Sequence, residues 1–200
     1  MKKILALTLA ILLGAANVNA AENKVSLPAP EKTGGMPLME ALSTRHTSRE
    51  FSAKALDKQT ISNLLWATYG INRADGKRTI PTANNSQNLK VFALLPEGIY
   101  EYNAKDNSLD LVEAVDFRAK AGKQTDMLAS SGIILVYVEK MGDALNKFNT
   151  GEAVQNANLY ATSAGLNVVV VGSANYKDLA TALKLERGYQ VQVIQALGNK

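Results

Sequence analysis

The sequence predicts an α+β fold, in which helices flank a mixed, mostly antiparallel sheet. The clearest strand is the continuous apolar run at 133–138, which is typical of the centre of a sheet. Residues 89–112 alternate short apolar runs with turns, as an antiparallel meander does. Helical patterns precede this meander and follow it, without the regular strand–helix alternation of a doubly wound sheet.

Two helices are predicted before the meander. Pro37 suits the first turn of a helix that carries apolar residues within 38–42. Asp57 is a good N-cap for a second helix, and Gly70 is a common helix stop. The polar stretch 72–87 then forms a long loop, and loops of this length are often functional. The meander is expected to contain strands at 89–95, 99–102 and 109–112.

The second half of the chain carries the remaining helices and strands. Gly165 is expected to close a long helix over 143–164. Asn175, with Asp178 three residues later, is expected to cap a further helix that ends at Leu183. The other predicted elements are the central strand at 133–138, a weak helix at 115–121, a buried strand of four valines at 168–171 and a final strand at 189–197.

The chain divides into three parts. Residues 1–20 are predicted to be a secretory signal peptide, because two lysines precede an apolar stretch and Val18-Asn19-Ala20 fits the small-x-small cleavage rule. The apolar stretch is too short for a bilayer, which requires about 20 residues. Residues 21–36, rich in Pro and Gly, are predicted to be a flexible tether, and residues 37–200 a single domain. The mature protein is therefore expected in the periplasm or outside the cell.

Composition excludes several classes of function. Cysteine is absent, which excludes disulfides, thiolate metal sites and a cysteine nucleophile. His46 is the single histidine, so no metal site built from imidazoles is expected, and a Ser-His-Asp triad would need this residue. Removing residues 1–20 removes two lysines and no acid, so the net charge falls from +4 to +2. That charge is too low to predict binding to nucleic acid or to a membrane. No metal ligand and no catalytic side chain is predicted.

A short basic segment, Arg45-His46-Thr47-Ser48-Arg49, follows the first predicted helix. Guanidinium groups bind phosphate oxygens in pairs, and a neighbouring hydroxyl adds a donor, so the segment suits a phosphate. A solvated basic helix end that complements the helix dipole would have the same composition. Composition alone leaves both interpretations open.

A second polar cluster, Pro81-Thr82-Ala83-Asn84-Asn85-Ser86-Gln87, leads directly into the first strand of the meander. Together with the basic segment, Gly151-x-x-x-Gln155-Asn156 and Gly165-Leu166, it resembles the nitroreductase family in order and in spacing. The resemblance extends from about residue 37 to residue 198 and implies a nitroreductase-like sandwich.

This resemblance implies an FMN site at the interface of a homodimer. The phosphate and the ribityl chain would be held by Arg45, His46, Thr47 and Arg49. The ribityl chain and the isoalloxazine ring would also contact Pro81, Thr82, Ala83, Asn85 and Gln87 of the loop, Gly172 and Ser173 beside the ring, and Gln124 near its edge. The implied reaction is a ping-pong hydride transfer to a nitroaromatic, a quinone or a similar small molecule, with NAD(P)H as the usual donor of the family. Export argues for another donor, because NAD(P)H is scarce outside the cytoplasm.

The stretches 64–79 and 96–102 are similar to the branch of the family that contains the thiazoline and oxazoline dehydrogenases. Two departures stand against the family pattern. Gly172 and Ser173 replace a Glu-Gly or Arg-Gly pair, and the sequence ends at Lys200 where many members carry a further basic segment. Three alternatives therefore stay open: an azoline-type dehydrogenase, a non-catalytic flavin-binding or flavin-carrying module, and a purely structural domain.

Overall fold

A computed structural model describes residues 23–142 and 145–200. Seven strands form one sheet in the order β1-β4-β3-β2-β5-β7-β6. The α+β prediction is confirmed, and every pairing between the described strands is antiparallel, so the parallel pairs implied by a mixed sheet are not found there. The strands are β1 Lys24–Ser26, β2 Lys90–Leu95, β3 Gly98–Asn103, β4 Ser108–Glu113, β5 Ile133–Lys140, β6 Asn167–Val171 and β7 Tyr189–Gly198.

The described helices lie on both faces of this sheet. They are α1 Leu38–Thr44, α2 Lys58–Tyr69, α3 Thr125–Ser130, α4 Asn146–Ser163 and α5 Tyr176–Ala182, with 3-10 turns at Ala83–Asn85 and Arg118–Lys120. None of them is long and apolar enough to cross a membrane.

The central strand β5 divides the core into two layers. Its alternate residues Ile133, Leu135 and Tyr137 face the layer of α2 and α4. The alanines of α4 at 153, 157 and 161 are fully buried in this layer. Ile134 and Val136 face the opposite layer, which contains α3 and α5. Because side chains alternate along a strand, a continuous apolar run is buried on both faces, as the sequence predicts.

Helix α2 has the predicted ends. The Asp57 side chain accepts a hydrogen bond from the Thr60 N–H at 2.7 Å and therefore caps the helix. The N–H of Gly70 donates to the Trp66 carbonyl and closes the last turn. The sheet order places β2, which follows the polar loop, beside β5.

Residues 23–36, called here the N-terminal arm, differ from the predicted tether. The arm begins with β1, which pairs with β4 at the edge of the sheet. The Pro28 carbonyl then accepts hydrogen bonds from Ser62 Oγ and Asn107 Nδ2, and the Glu31 N–H donates to Asn63. Prolines and glycines mark irregular backbone, but here polar side chains of distant elements hold that backbone in place. The predicted signal peptide lies outside the described residues, and its cleavage stays a prediction.

Other differences concern short elements. Helix α3 is absent from the predictions, and the weak helix expected at 115–121 is reduced to the turn Arg118–Lys120. Strand β6 lies at the edge of the sheet, so Val170 is 40% exposed rather than buried. Asn175 is the N-cap residue of α5, but its side chain donates to the Lys120 carbonyl instead of capping the helix. The first two residues of the predicted long helix, 143 and 144, lie outside the described residues.

Candidate functional site

The basic segment, residues 45–49, runs from the end of α1 along the edge strand β6. The Arg45 N–H donates to Ala41 and completes α1, and the Ser48 N–H donates to the Val168 carbonyl at 3.0 Å. Arg45 is half-buried, whereas His46, Thr47 and Arg49 are exposed. Within the described residues, no salt bridge or hydrogen bond engages the guanidinium of Arg45 or Arg49. Two cations on an anchored backbone are thus free to bind an anion.

A small cavity of about 130 Å³ lies beside this segment. His46 and Lys200 both line it, together with Thr162 of α4. The His46 Nδ1 lies 2.9 Å from the Thr44 carbonyl, which can only accept, so Nδ1 carries the proton and Nε2 is left for another contact. The Ser52 N–H donates to the Asn199 carbonyl and fixes the backbone next to Lys200. An imidazole and an ammonium group therefore meet at one opening, which suits an anion.

The polar loop, residues 81–87, has a strained backbone. Asn84, Asn85 and Gln87 adopt positive φ angles of 51°, 51° and 47°. Asparagine adopts this region more readily than other non-glycine residues, whereas at Gln87 the conformation is unfavourable and persists where the surroundings hold it. The Thr82 Oγ1 accepts a hydrogen bond from the Gln87 N–H at 3.3 Å and closes the loop on itself. Pro81 and Asn85 are exposed, while Thr82 and Ala83 are half-buried.

The Gln87 amide is engaged inside the structure of the loop. Its Oε1 accepts from Arg78 Nε at 3.0 Å, and its Nε2 donates to the Gly76 carbonyl and to Asn85 Oδ1. The sequence suggests that this amide faces a ring, and its observed contacts are with its own chain. Arg78 is not among the predicted site residues. The sequence around Arg78 does not indicate this role, because the contact joins Arg78 to Gln87, nine positions later in the chain.

A third group, the ring-side cluster, contains Gly172, Ser173 and Gln124. The Ser173 hydroxyl donates to Gln124 Oε1 at 2.8 Å, so the structure brings these two predicted residues together. A Cβ on Gly122 would lie 3.1 Å from the Ser173 carbonyl oxygen, so glycine permits this close approach. The Tyr176 hydroxyl donates to the Gly172 carbonyl at 3.0 Å. Tyr176 is not among the predicted residues either, and the signal that could have found it is an aromatic residue four positions after Gly172.

The basic segment and the polar loop lie at different ends of α4. His46 shares its cavity with Thr162, whereas Pro81 borders a groove of about 520 Å³ that is lined by Gly151 and Gln155. Gly151 and Thr162 are eleven positions apart, which corresponds to about 16 Å along the helix. One chain therefore does not bring the two predicted halves of the site together.

Gly151 is the other notable feature of α4. It lies inside the helix, where glycine costs about 1 kcal/mol relative to alanine. It is exposed, and a Cβ built on it would have no atom of the described residues within 4 Å. Nothing within the described part of the chain requires glycine at this position.

Comparisons with known proteins agree with this architecture. The model of the nitroreductase family matches residues 42–199. A crystal structure from Ralstonia eutropha, described as a nitroreductase, is 34% identical, covers 89% of this chain and 90% of that chain, and superimposes with a TM-score of 0.83.

Two further structures share the fold at lower identity. One, from Desulfovibrio desulfuricans, is described as a nitroreductase in complex with FMN; it is 17% identical, covers 83% of this chain and 87% of that chain, and has a TM-score of 0.61. The other is a chain of the E. coli microcin synthetase McbBCD complex with truncated pro-MccB17 bound; it is 17% identical, covers 98% and 84% of the two chains, and has a TM-score of 0.66.

Proposed function

The chain belongs to the nitroreductase family, and we propose that it is an exported, FMN-dependent oxidoreductase that works as a homodimer. Its substrate is a small electron acceptor such as a nitroaromatic or a quinone. The observation that carries this proposal is that Arg45 and Arg49, whose guanidinium groups are unengaged within the described residues, flank His46, which lines one cavity with Lys200. Four basic groups at one surface are the chemistry that a phosphate monoester requires.

The basic segment fits the phosphate of FMN. Arg45 and Arg49 would bind the phosphate oxygens in pairs, and the exposed Thr47 hydroxyl would add a donor. His46 and Lys200 would complete the anion site from the neighbouring cavity.

The polar loop and the ring-side cluster fit the rest of the cofactor. Pro81, Thr82, Ala83 and Asn85 would lie along the ribityl chain and one side of the ring, held by the fixed backbone of the loop. The ring-side cluster would approach from the other side with backbone groups and the Ser173 hydroxyl. FMN, when bound, supplies the hydride transfer between a donor and the acceptor in a ping-pong sequence. The protein's share is to bind, to orient and to exclude water.

The homodimer is supported by the distribution of the site along α4. If two copies pack with their α4 helices antiparallel about a two-fold axis, the polar loop of one chain comes to the basic segment of the other. Gly151 allows a close approach at that contact. Exposed apolar side chains of α4 and of the adjoining α1 suit an interface: Phe148 of α4 is 65% exposed, and Leu38 and Met39 of α1 are 61% and 75% exposed.

Export is supported by the sequence of residues 1–20, and it bears on the electron donor. The periplasm or the exterior offers little NAD(P)H, so a different reductant is the physiological donor in this proposal. NAD(P)H still serves as a test donor in solution.

The proposal is tested first by the visible spectrum of the purified mature protein. Flavin absorbance is expected, and heating should release a flavin that chromatography identifies as FMN. Arg45→Ala combined with Arg49→Ala should weaken FMN binding about 100-fold or more, because each lost charge-assisted contact costs about 1.5–3 kcal/mol. The measurement is titration of the apoprotein with FMN, followed by flavin fluorescence.

A matched control removes the same charge elsewhere. Lys105 and Arg187 are both exposed and do not line the cavity, and Arg187 lies at the opposite end of β7 from Lys200, so Lys105→Ala with Arg187→Ala should leave FMN affinity within about twofold of the parent value. Unchanged affinity in the arginine double variant would contradict the phosphate assignment. A colourless mature protein that binds no added FMN would leave a structural domain as the remaining interpretation.

A second candidate function is azoline-type dehydrogenation. It is favoured by the likeness of residues 64–79 to that branch, and a chain of the microcin synthetase complex has the same fold. Oxidation of NADH in the presence of a nitroarene or quinone supports the reductase. Bound FMN without such turnover supports the dehydrogenase, and bound FMN that responds to dithionite alone supports a flavin-carrying module.

A further inference from the structure

Arg78 connects three parts of the polar-loop region. Its Nε donates to Gln87 Oε1 at 3.0 Å, and its Nη1 donates to the Tyr69 carbonyl at the end of α2 at 3.1 Å. The guanidinium carbon also lies 4.3 Å from the centre of the Tyr69 ring. The backbone around Arg78 is paired as well, since residues 71 and 78 form an antiparallel bridge. One side chain thus fixes the exit of the loop to the end of a buried helix.

The loop needs such support because it is strained. Asn84, Asn85 and Gln87 each hold a positive φ. Asparagine tolerates this conformation, but glutamine does so far less readily, so Gln87 is the residue of the loop that needs to be held in place. The Gln87 amide connects Arg78 to the rest of the loop, because its nitrogen donates to the Gly76 carbonyl and to Asn85 Oδ1. Arg78, Gln87 and Asn85 therefore form one chain of hydrogen bonds that runs from α2 to the exposed part of the loop.

We propose that Arg78 is a positioning residue that holds the polar loop in the conformation that binds FMN, by clamping Gln87 to the end of α2. The inference rests on the proposed function, because it takes the polar loop to be a wall of the FMN site. Arg78 itself does not touch the cofactor in this arrangement. Its effect on FMN passes through Gln87 and Asn85.

The geometry requires arginine rather than a positive charge alone. Two nitrogens of one planar group point to two acceptors, and the flat face of that group lies on an aromatic ring. A lysine ammonium has the charge but neither the fork nor the flat face. Arg78→Lys is therefore expected to restore little of what Arg78→Met loses.

The experiment compares two neighbouring cations of the same loop. Lys77 is exposed and pairs with Asp75 alone, at 2.8 Å, so Lys77→Met removes the same charge without touching the clamp. We expect Arg78→Met to weaken FMN binding at least tenfold and to speed proteolytic cleavage between residues 82 and 88 of the apoprotein. Lys77→Met should stay within twofold of the parent protein in both measurements. The thermal midpoint of each apoprotein is recorded beside them.

Gln87→Met provides an independent test and keeps the inference falsifiable if Arg78→Met does not fold. It breaks the same clamp from the other side and should give a similar loss of FMN affinity. The double variant should bind FMN no more than about twofold more weakly than either single variant. The reason is that both substitutions break the same hydrogen bond between Arg78 and Gln87. Losses that multiply, or a rescue by Arg78→Lys, would overturn the clamp.

A simple structural role gives a different result. In that case Arg78→Met lowers the thermal midpoint, while its folded fraction binds FMN with the parent affinity and the loop is cleaved no faster, and the inference fails. Failure of the proposed function can be told apart from failure of the Arg78 inference, because in the former case the parent protein itself would bind no FMN.

Discussion

Two buried tyrosines, Tyr69 and Tyr102, lie close enough to Arg78 to interact with its charge. Burial raises the pKa of Tyr69 to about 12, and that of Tyr102 also to about 12, against an ordinary value of 10. The folded protein therefore keeps these protons at a pH at which the unfolded chain releases them. The resulting stability is fully present below pH 10 and is lost as the pH rises toward 12.

This burial predicts an alkaline loss of stability. At pH 11 each of the two tyrosines should lower the free energy of unfolding by about 1 kcal/mol relative to pH 8. Tyr69→Phe keeps the ring under Arg78 and removes one titrating group. The difference in free energy of unfolding between pH 8 and pH 11 should therefore be about 1 kcal/mol smaller in this variant than in the parent protein. Urea unfolding at pH 8 and pH 11 measures both. An equal loss in the parent protein and the variant would contradict the assignment.

Residue types alone predict which cations would bind the phosphate, but they do not predict how the loop is held. Guanidinium and hydroxyl groups in five consecutive residues have few uses other than binding an anion or ending a helix. In contrast, the amide of Gln87 suits a heterocycle, and its chemistry predicts a contact with the ring. The contact joins Arg78 to Gln87, nine positions later, and depends on the path of the backbone between them, which side-chain chemistry does not specify.

At the scale of elements, α2 shows what local sequence determines well. Its N-cap, its apolar spacing and its final glycine all lie within a few residues of the bonds they make. A hydrogen bond from the Thr60 N–H lowers the pKa of Asp57 below its usual value of 3.8. The stability from this cap is present above that value and is lost as the pH falls through the lower, folded pKa.

The cap gives a prediction at this scale. Asp57→Ala should lower the free energy of unfolding by about 1 kcal/mol, because the Thr60 N–H loses its acceptor. Asp57→Asn keeps an acceptor at the same position and should recover most of that loss. Urea denaturation at pH 7 provides the measurement. Equal destabilisation by both variants would show that the charge, rather than the hydrogen bond, supports the helix.

The elements that sequence does not predict depend on distant partners. Strand β1 has three residues and pairs with β4, which lies more than eighty residues away in the chain. Helix α3 has six residues, too few to display a helical period. Four valines in β6 predict a buried strand, but burial at the edge of a sheet is decided by what lies beside it. The bond between Ser173 and Gln124 likewise spans 49 residues.

At the scale of the whole molecule, the proposed homodimer would account for Gly151, for which the described part of one chain gives no reason. Gly151→Leu should improve the helix propensity of α4 and leave the monomer folded. It should nevertheless separate the two copies and abolish FMN binding, because the added side chain occupies the contact between the helices. Sedimentation velocity and FMN titration provide the measurements.

Ala129→Leu is the matched control for this variant. Ala129 is an exposed residue of α3, in the layer on the opposite face of the sheet. Leucine at this position should change neither the oligomeric state in sedimentation velocity nor the affinity for FMN. A Gly151→Leu protein that remains dimeric with full FMN binding would rule out close helix contact at this position.

If the proposed homodimer forms, the separation of the basic segment from the polar loop along α4 has a genetic consequence. Consider a mixed dimer in which one chain carries Arg45→Ala and Arg49→Ala and the other is altered in the polar loop. One of its two pockets contains both altered parts, whereas the second pocket contains the unaltered part of each chain. Random reassembly of equal amounts should restore about a quarter of the parental flavin content, because half of the pairs are hybrids. Complementation between two inactive alleles is thus built into the way the pockets are shared.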